Sequence, residues 1–273
     1  MHATVDDRED IQFIIDLIYE RSRIRLNEGK EQLIRARLGK RMRKHGFTSL
    51  SEYCQFLRHQ TDEEEISMVV DALTTNFTSF LRERDHFDFL TQNAVPALLG
   101  KNGKTIRIWS AACSSGEEPF SIAFCLEEAY PFSAGWDWKV MATDISTKVL
   151  DKARAGIYRD DQVEGLPREW LRKYFQRGEG ASEGYYRIKN YLSERVAFHQ
   201  LNLLGAYSFR EPFQVIFCRN VMIYFDRPTQ EQLVKRLSQF LAPQGYLLVG
   251  HSESLIGLSV PLRCLRPSIY QKL

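Results

Sequence analysis

The run Arg107-Ile-Trp-Ser-Ala-Ala-Cys-Ser-Ser-Gly-Glu-Glu-Pro-Phe-Ser121 constrains the fold more than any other part of the 273-residue chain. An apolar strand carrying Ile106 and Ile108 runs into a turn of small residues, Ala111, Ala112, Ser114, Ser115 and Gly116, and the turn opens a helix. A strand, a narrow turn and a helix in this order start a doubly wound parallel sheet, and such a turn holds an adenosine-bearing cofactor against backbone. Two carboxylates, Glu117 and Glu118, follow at once. They would repel a pyrophosphate at that helix start. A cofactor with a positive centre and no phosphate tolerates them, and S-adenosylmethionine, with its sulfonium and ammonium, is such a cofactor.

The rest of the chain extends this beginning. From Thr105 strands and helices alternate, the mark of a parallel α/β sheet. Strands are expected at 106–109, 139–143, 196–201, 214–218 and 246–249, with a returning edge hairpin within 262–271. Helices are expected at 117–130, 147–155 (capped by Ser146) and 229–241, and Pro243-Gln-Gly245 reads as a turn. Residues from about 160 to 195 break the rhythm and read as a small antiparallel β insert. Upstream, 1–75 read as an all-helical domain. Ile11, Ile14, Ile15 and Ile18 form one helical stripe, and Leu33, Ile34, Leu38 and Met42 a second, closed by Gly46. Ser49/Glu52 and Thr61/Glu64 have the spacing of capping boxes. Residues 76–104 are a linker and connecting helix. The expected architecture is a Rossmann-like α/β sheet over 105–273, with an N-terminal all-α domain and the β insert.

Composition narrows the function classes. A net charge of +2 gives no global case for nucleic acid, and the five cysteines are scattered without disulfide-framework or zinc spacing. No apolar run resembles a signal peptide or is long enough to span a membrane, so a cytoplasmic location is expected. Charge is nevertheless uneven. Residues 21–45 carry ten Lys and Arg against Glu28 and Glu31. A solvated helix face is the plain explanation, but the thin acidic compensation favours an acidic partner. Arg35, Arg37, Lys40, Arg41, Arg43 and Lys44 on the second helix are the candidate contacts.

Ligands of open α/β sheets sit outside the carboxyl ends of the strands. Asp144 ends the second strand, where a carboxylate can accept both ribose hydroxyls of an adenosine. Asn202 and Asn220 follow two later strands and could equally be strand terminators. Asn220 opens a segment with neither helical nor strand period, and Tyr224 follows it, a core aromatic or a phenol near the reacting centre. Asn76, Thr78 and Arg82 lie in the linker, where Arg82 could pair with a carboxylate. His251 lines the site or a surface turn, while His45, His59, His86 and His199 are isolated. No metal-ligand spacing stands out.

Thr74-Thr-Asn-Phe-Thr-x-Phe-x-Arg82, Trp109-Ser-Ala-Ala-x-Ser-x-Gly-Glu-Glu-Pro119, Ala142-Thr-Asp-Ile145, Lys152-Ala-Arg-x-Gly-x-Tyr158, Phe217-Cys-Arg-Asn-Val-Met-Ile-Tyr-Phe-Asp226 and Gly250-His-Ser-Glu253 together resemble the bacterial chemotaxis receptor methyltransferases, the CheR family. The resemblance runs over essentially the whole chain. It implies a protein-glutamate O-methyltransferase that moves a methyl group from S-adenosylmethionine to receptor glutamates, leaving S-adenosylhomocysteine. It also implies that Asn76, Thr78, Arg82, Glu118 or its neighbour Glu117, Asp144, Asn202, Leu203, Asn220 and Val221 surround the cofactor, with Arg82 and Tyr224 closest to the incoming glutamate. The partners implied are the cytoplasmic methylation helices of chemoreceptors for the basic helix, and a receptor C-terminal pentapeptide for the insert, whose loop is Arg177-Gly-Glu-Gly-x-x-x-Gly184. A monomer recruited to membrane receptor arrays would follow. The competing reading is a non-catalytic, cofactor-binding scaffold. A decayed enzyme should have lost Asp144, Arg82 or Tyr224, and all three are present.

Overall fold

The computed structural model describes residues 5–26, 29–59, 63–74 and 77–273. The chain divides into two units: Met1–Thr75 with Tyr224–Thr229, and Asn76–Ile223 with Gln230–Leu273.

The first unit is built on helices α1 (Val5–Ser22), α2 (Glu31–Lys44), α3 (Leu50–His59) and α4 (Glu63–Leu73). Its core takes Ile11, Ile14 and Ile18 from α1 and Ile34 and Leu38 from α2, the centres of the two apolar stripes. The reciprocal capping box at α3 is present: the Glu52 N–H donates to Ser49 Oγ (3.2 Å), and the Ser49 N–H to Glu52 Oε2 (3.2 Å). The box expected at Thr61 lies outside the described residues. Residues 224–229 join this unit through Asp226, which accepts from Tyr19 Oη (3.1 Å) and pairs with Arg25 (3.3 Å).

In the second unit the connecting helix comes in pieces: α5 (Asp85–Phe89), a π turn (Leu90–Ala94) and α6 (Val95–Asn102). Pro96 in the first turn of α6 cannot donate to the ladder, which accounts for the break. Then follow β1 (Thr105–Ala111), α7 (Glu117–Ala129), β2 (Asp137–Asp144), α8 (Thr147–Ala155), β3 (Ile157–Arg159), α9 (Asp160–Val163), α10 (Arg168–Tyr174), β4 (Phe175–Arg177), β5 (Tyr185–Ile188), α11 (Asn190–Ser193), β6 (Val196–Gln200) and β7 (Phe213–Cys218). The last elements are α12 (Arg227–Phe240), β8 (Leu241–Val249), β9 (Leu262–Arg266) and β10 (Ile269–Lys272).

The seven-stranded sheet has the order β6-β2-β1-β7-β8-β10-β9. It is parallel from β6 to β8 and closes with the antiparallel β10 and β9. Strand β1 is the middle one of the five parallel strands and is buried almost end to end, as a parallel strand covered on both sides requires. Phe87, Phe120, Phe124, Trp138, Phe217 and Leu248 belong to the core around it.

Three details depart from the expected pattern. The β insert, order β3-β5-β4, begins at Ile157 and not near 160, because Gly156 (φ +58°) ends α8 and turns the chain directly into β3. Helix α12 starts two residues early, since Asp226 Oδ1 accepts the Thr229 N–H (3.0 Å) and Pro228 fits a first turn. Pro243-Gln-Gly245 lies inside β8 as an irregularity: Phe213 pairs with Leu241 but Val215 with Tyr246. Among the described residues, no helix is long and apolar enough to cross a membrane.

Candidate cofactor and active site

Register brings the strand ends level. Ala111 lies beside Thr143 and Cys218, Asp144 beside Gln200, and Cys218 beside Val249. The turns after β1, β2, β6, β7 and β8 therefore leave the sheet at one edge, where open α/β sheets bind ligands. Strain concentrates there too. Leu81, Glu83, Ala112, Ser114 and Asn220 all have left-handed φ without being glycine, at a cost of roughly 1–3 kcal/mol each.

The β1–α7 turn is held from several sides. The Cys113 N–H donates to the Thr143 carbonyl (2.8 Å), and Tyr158 Oη donates to the Ser115 carbonyl (2.9 Å). Gly116 has φ +97°, and a Cβ there would lie 2.8 Å from Tyr158 Oη and 3.0 Å from Ala153 Cβ, so the position accepts only glycine. Asp144 is buried, and its carboxylate accepts the N–H of Ser114 (2.8 Å) and of Ser146 (3.0 Å). The Ser146 hydroxyl accepts the Val149 N–H and caps α8, as its place in the sequence indicates.

The two glutamates differ. Glu117 is buried, accepts from Ser115 Oγ (2.7 Å) and Gln162 Nε2 (3.3 Å), and has its pKa pushed up by burial. Glu118 accepts from Ser110 Oγ (2.7 Å) and pairs with Arg219 Nη1 (2.9 Å). Burial raises its pKa as well, and Arg219 opposes the shift.

Arg219 was invisible as a site residue in the sequence, yet it organises this edge. Its Nη2 donates to the Arg82 carbonyl and pairs with Glu83 Oε2 (3.0 Å). Burial alone would raise the pKa of Glu83, but Arg219, Asn220 and the His251 N–H outweigh it and hold the group below the usual carboxylate range. Asn220 Nδ2 lies 3.3 Å from Glu83 Oε1. Glu253, also unassigned by sequence, accepts the N–H groups of Gly250 (2.6 Å), Met222 (2.7 Å), Asn220 (2.8 Å) and Ile223 (3.3 Å), and so fixes the turn after β7.

Arg82, Glu118 and Asn220 are thus linked through Arg219 and Glu83. The Arg82 guanidinium itself donates to the Phe77 carbonyl (3.0 Å) and lies 5.8 Å from the centroid of the exposed Phe77 ring. The Leu81 N–H donates to Ser121 Oγ (3.0 Å), which ties the same stretch to α7. Thr78 and Val221 are half-buried. Asn202 Oδ1 accepts the Leu204 N–H (3.0 Å), a strand-ending Asx turn, and Leu203 is buried beside it. Leu201 reaches back to the Asp144 carbonyl (2.9 Å). Tyr224 falls in the first unit, where its carbonyl accepts the Arg25 N–H (3.0 Å). Asn76 lies outside the described residues.

The isolated status read for His86 is corrected. The rings of His86 and His251 meet edge-on, 4.9 Å between centroids. Burial, then the charge of Arg219, lowers the His86 pKa to about 4.

The basic helix is also less available than its sequence suggests. Arg37 Nη1 donates to the carbonyls of Leu73 (3.0 Å) and Thr74 (2.9 Å) at the end of α4. Arg41 pairs with the buried Glu65, which also accepts from Tyr53 Oη (2.5 Å) and contacts His45 Nε2 (3.0 Å). Ile34, Arg37, Leu38 and Arg41 follow i, i+3, i+4, i+7 spacing and share the inward stripe, so these two arginines turn into their own unit. Lys40, Arg43 and Lys44 are exposed, and Arg35 is half-buried.

The donor set fits S-adenosylmethionine. Carboxylates gather around a glycine-bearing turn at the end of the central strand, a place suited to a ribose and to positive charge and hostile to phosphates. Sheet and site together define a Rossmann-like S-adenosylmethionine-dependent methyltransferase. Residues 76–269 match the family described as CheR methyltransferase, SAM binding domain, and residues 9–74 match CheR methyltransferase, all-alpha domain. The chain is 42% identical over 242 residues to a chemotaxis protein methyltransferase of Escherichia coli (strain K12), covering 88% of this chain and 82% of that protein. It is 38% identical over 271 residues to one of Borreliella burgdorferi (97% and 94% covered) and 41% identical over 264 residues to chemotaxis protein methyltransferase 2 of Pseudomonas aeruginosa (96% and 92%). The chain belongs to the CheR methyltransferase family, and S-adenosylmethionine is its cofactor.

Proposed function

We propose that this chain is a protein-glutamate O-methyltransferase acting on the methylation helices of chemoreceptors. The observation that carries the reading is the turn after β1, bonded to Asp144 and followed by Glu118, which accepts from Ser110 of β1, in a chain matched along both of its units by one methyltransferase family. Bound S-adenosylmethionine supplies an electrophilic methyl on a sulfonium, and a substrate glutamate carboxylate receives it to give a methyl ester and S-adenosylhomocysteine. An ionised carboxylate is already a nucleophile, so the chain's task is positioning and exclusion of water, not proton abstraction.

In this reading Asn76, Thr78, Arg82, Glu117 or Glu118, Asp144, Asn202, Leu203, Asn220 and Val221 line the cofactor. Asp144 takes the ribose hydroxyls. Arg82 and Tyr224 stand nearest the substrate carboxylate. Arg82 anchors and gates more than it activates, because a tight pairing would lower the nucleophilicity of the glutamate. Lys40, Arg43 and Lys44, with Arg35, steer glutamate-rich receptor helices by charge, and residues 1–75 serve as the receptor-binding domain. The insert takes a receptor C-terminal peptide: its Arg177–Gly184 loop is tight enough that a Cβ on Gly178 would lie 2.0 Å from the Ser182 carbonyl oxygen. Tethering there would raise local enzyme concentration.

The test is alkali-released methanol after mixing the protein with methyl-labelled S-adenosylmethionine and membranes bearing unmethylated chemoreceptors. Signal that disappears in Asp144→Ala supports the reading. No transfer and no cofactor binding by the wild type would overturn it.

A further inference from the structure

His86 is fully buried at the start of α5. Its Nε2 lies 2.7 Å from Ser268 Oγ, and that hydroxyl donates its single hydrogen to the Pro267 carbonyl, 2.6 Å away. Nε2 is therefore the donor in the histidine–serine contact, which leaves Nδ1 of the neutral ring as a bare lone pair. Nδ1 makes no hydrogen bond, and the nearest partner recorded for it is another acceptor, Glu83 Oε2, at 3.5 Å. A buried lone pair set against a carboxylate oxygen is unfavourable unless a positive centre lies between them.

His251 completes the arrangement. One ligand atom from each of Glu83, His86 and His251 lies within 4.8 Å of the others. His251 Nε2 is 3.1 Å from the Asp85 carboxylate, the outer contact that orients metal-bound imidazoles, as Ser268 does for His86. The Glu83–His86 separation suits a shared ion, because two ligands at about 2.0–2.1 Å from a tetrahedral zinc stand about 3.3–3.4 Å apart.

We propose that Glu83, His86 and His251 form a binding site for a divalent transition-metal ion of the zinc class, oriented by Ser268 and Asp85 and open to solvent on the His251 side. The ligand set is mixed nitrogen and oxygen, which suits zinc, cobalt or nickel over magnesium or calcium. Arg219 Nη2 already holds Glu83 Oε2 at 3.0 Å, so the ion and Arg219 compete for one carboxylate. The site is thereby an exchangeable one, and loading it pulls Glu83 away from Arg219.

The experiment is a cobalt(II) titration of the purified full-length chain followed by visible absorption, with zinc as competitor. One equivalent is expected, with visible d–d bands much stronger than those of aqueous cobalt(II), no intense thiolate charge-transfer band, and full displacement by zinc. His251→Ala should abolish the bands; because that side chain is exposed, its thermal unfolding should match the wild type. Ser268→Ala should weaken binding about 10-fold. Absence of binding, bands that survive His251→Ala, or thiolate bands that place the ion on a cysteine would each overturn the proposal. No readout depends on methyl transfer, so the result stands apart from the catalytic reading.

Discussion

Arg219 Nη1 lies 2.9 Å from Glu118 Oε2 while its Nη2 lies 3.0 Å from Glu83 Oε2, and the arginine side chain is 2% exposed. One buried cation thus holds two carboxylates from segments far apart in sequence. Removing one partner of such a set leaves uncompensated buried charge, at about 3–5 kcal/mol. Arg219→Met should therefore lower the urea midpoint substantially. Arg219→Lys keeps the charge but loses the planar fork, so it should retain much of the stability and still bind S-adenosylhomocysteine less tightly. Calorimetry on both variants checks this. Unchanged affinity in both would mean that Arg219 does not position the cofactor edge.

Asp144 accepts backbone N–H groups from the turns after β1 and β2, one on each oxygen. An asparagine keeps one acceptor and turns an NH2 group towards an N–H, so one of those contacts becomes repulsive. Asp144→Asn should weaken S-adenosylhomocysteine binding by about 10-fold or more, the size of one charge-assisted hydrogen bond, with a smaller effect on the receptor KM. Equilibrium binding and initial rates at varied receptor concentration separate the two.

The sheet was legible because each parallel strand carries a short apolar stretch, such as 140–142 in β2 and 215–218 in β7, bounded by small or polar residues, and the Ser49, Ser146 and Gly46 signals act over only a few residues. Asp144 and Glu118 were legible by their places at strand and helix ends. Arg219 and Glu83 were not, although Arg219 lies inside a quoted motif: their roles exist only once positions 136 apart in sequence meet. The same holds for His86 and Ser268, 182 apart. The inward turn of Arg37 and Arg41 did leave a signal, since both share the helical stripe of Ile34 and Leu38. A count of charges hides it, because the neutralising Glu65 lies on another helix.

Glu253 fills a nest of four backbone donors, two on each carboxylate oxygen. In Glu253→Gln one oxygen becomes an NH2 group, and two N–H groups lose their acceptor at about 1–3 kcal/mol each. Hydrogen exchange at 220–223 should speed up, and S-adenosylhomocysteine affinity should fall with it. Faster exchange without a change in affinity would separate this turn from the cofactor site.

Acid should act on the helical unit through Glu65. Burial would raise the pKa of this carboxyl, but bonds from Arg41, Tyr53 and His45 win and lower it from 4.5. A carboxyl whose pKa is depressed on folding contributes stability that is present above its unfolded value and is lost as pH falls through the folded one. Glu117, Glu118 and Glu253 have raised values and respond in the opposite sense, since their charge opposes folding and protonation relieves it. Whole-chain acid curves mix the two effects, and comparison with Glu65→Gln separates them. The variant should be less stable than the wild type by about 3 kcal/mol at neutral pH, the cost of breaking a buried pair. That gap should narrow below about pH 4.5, where the wild type begins to lose the same interaction. Urea unfolding of both proteins from pH 7 to pH 3 measures it. A gap that stays constant over the range would show that the ionised form of Glu65 is not what holds α2 against α4.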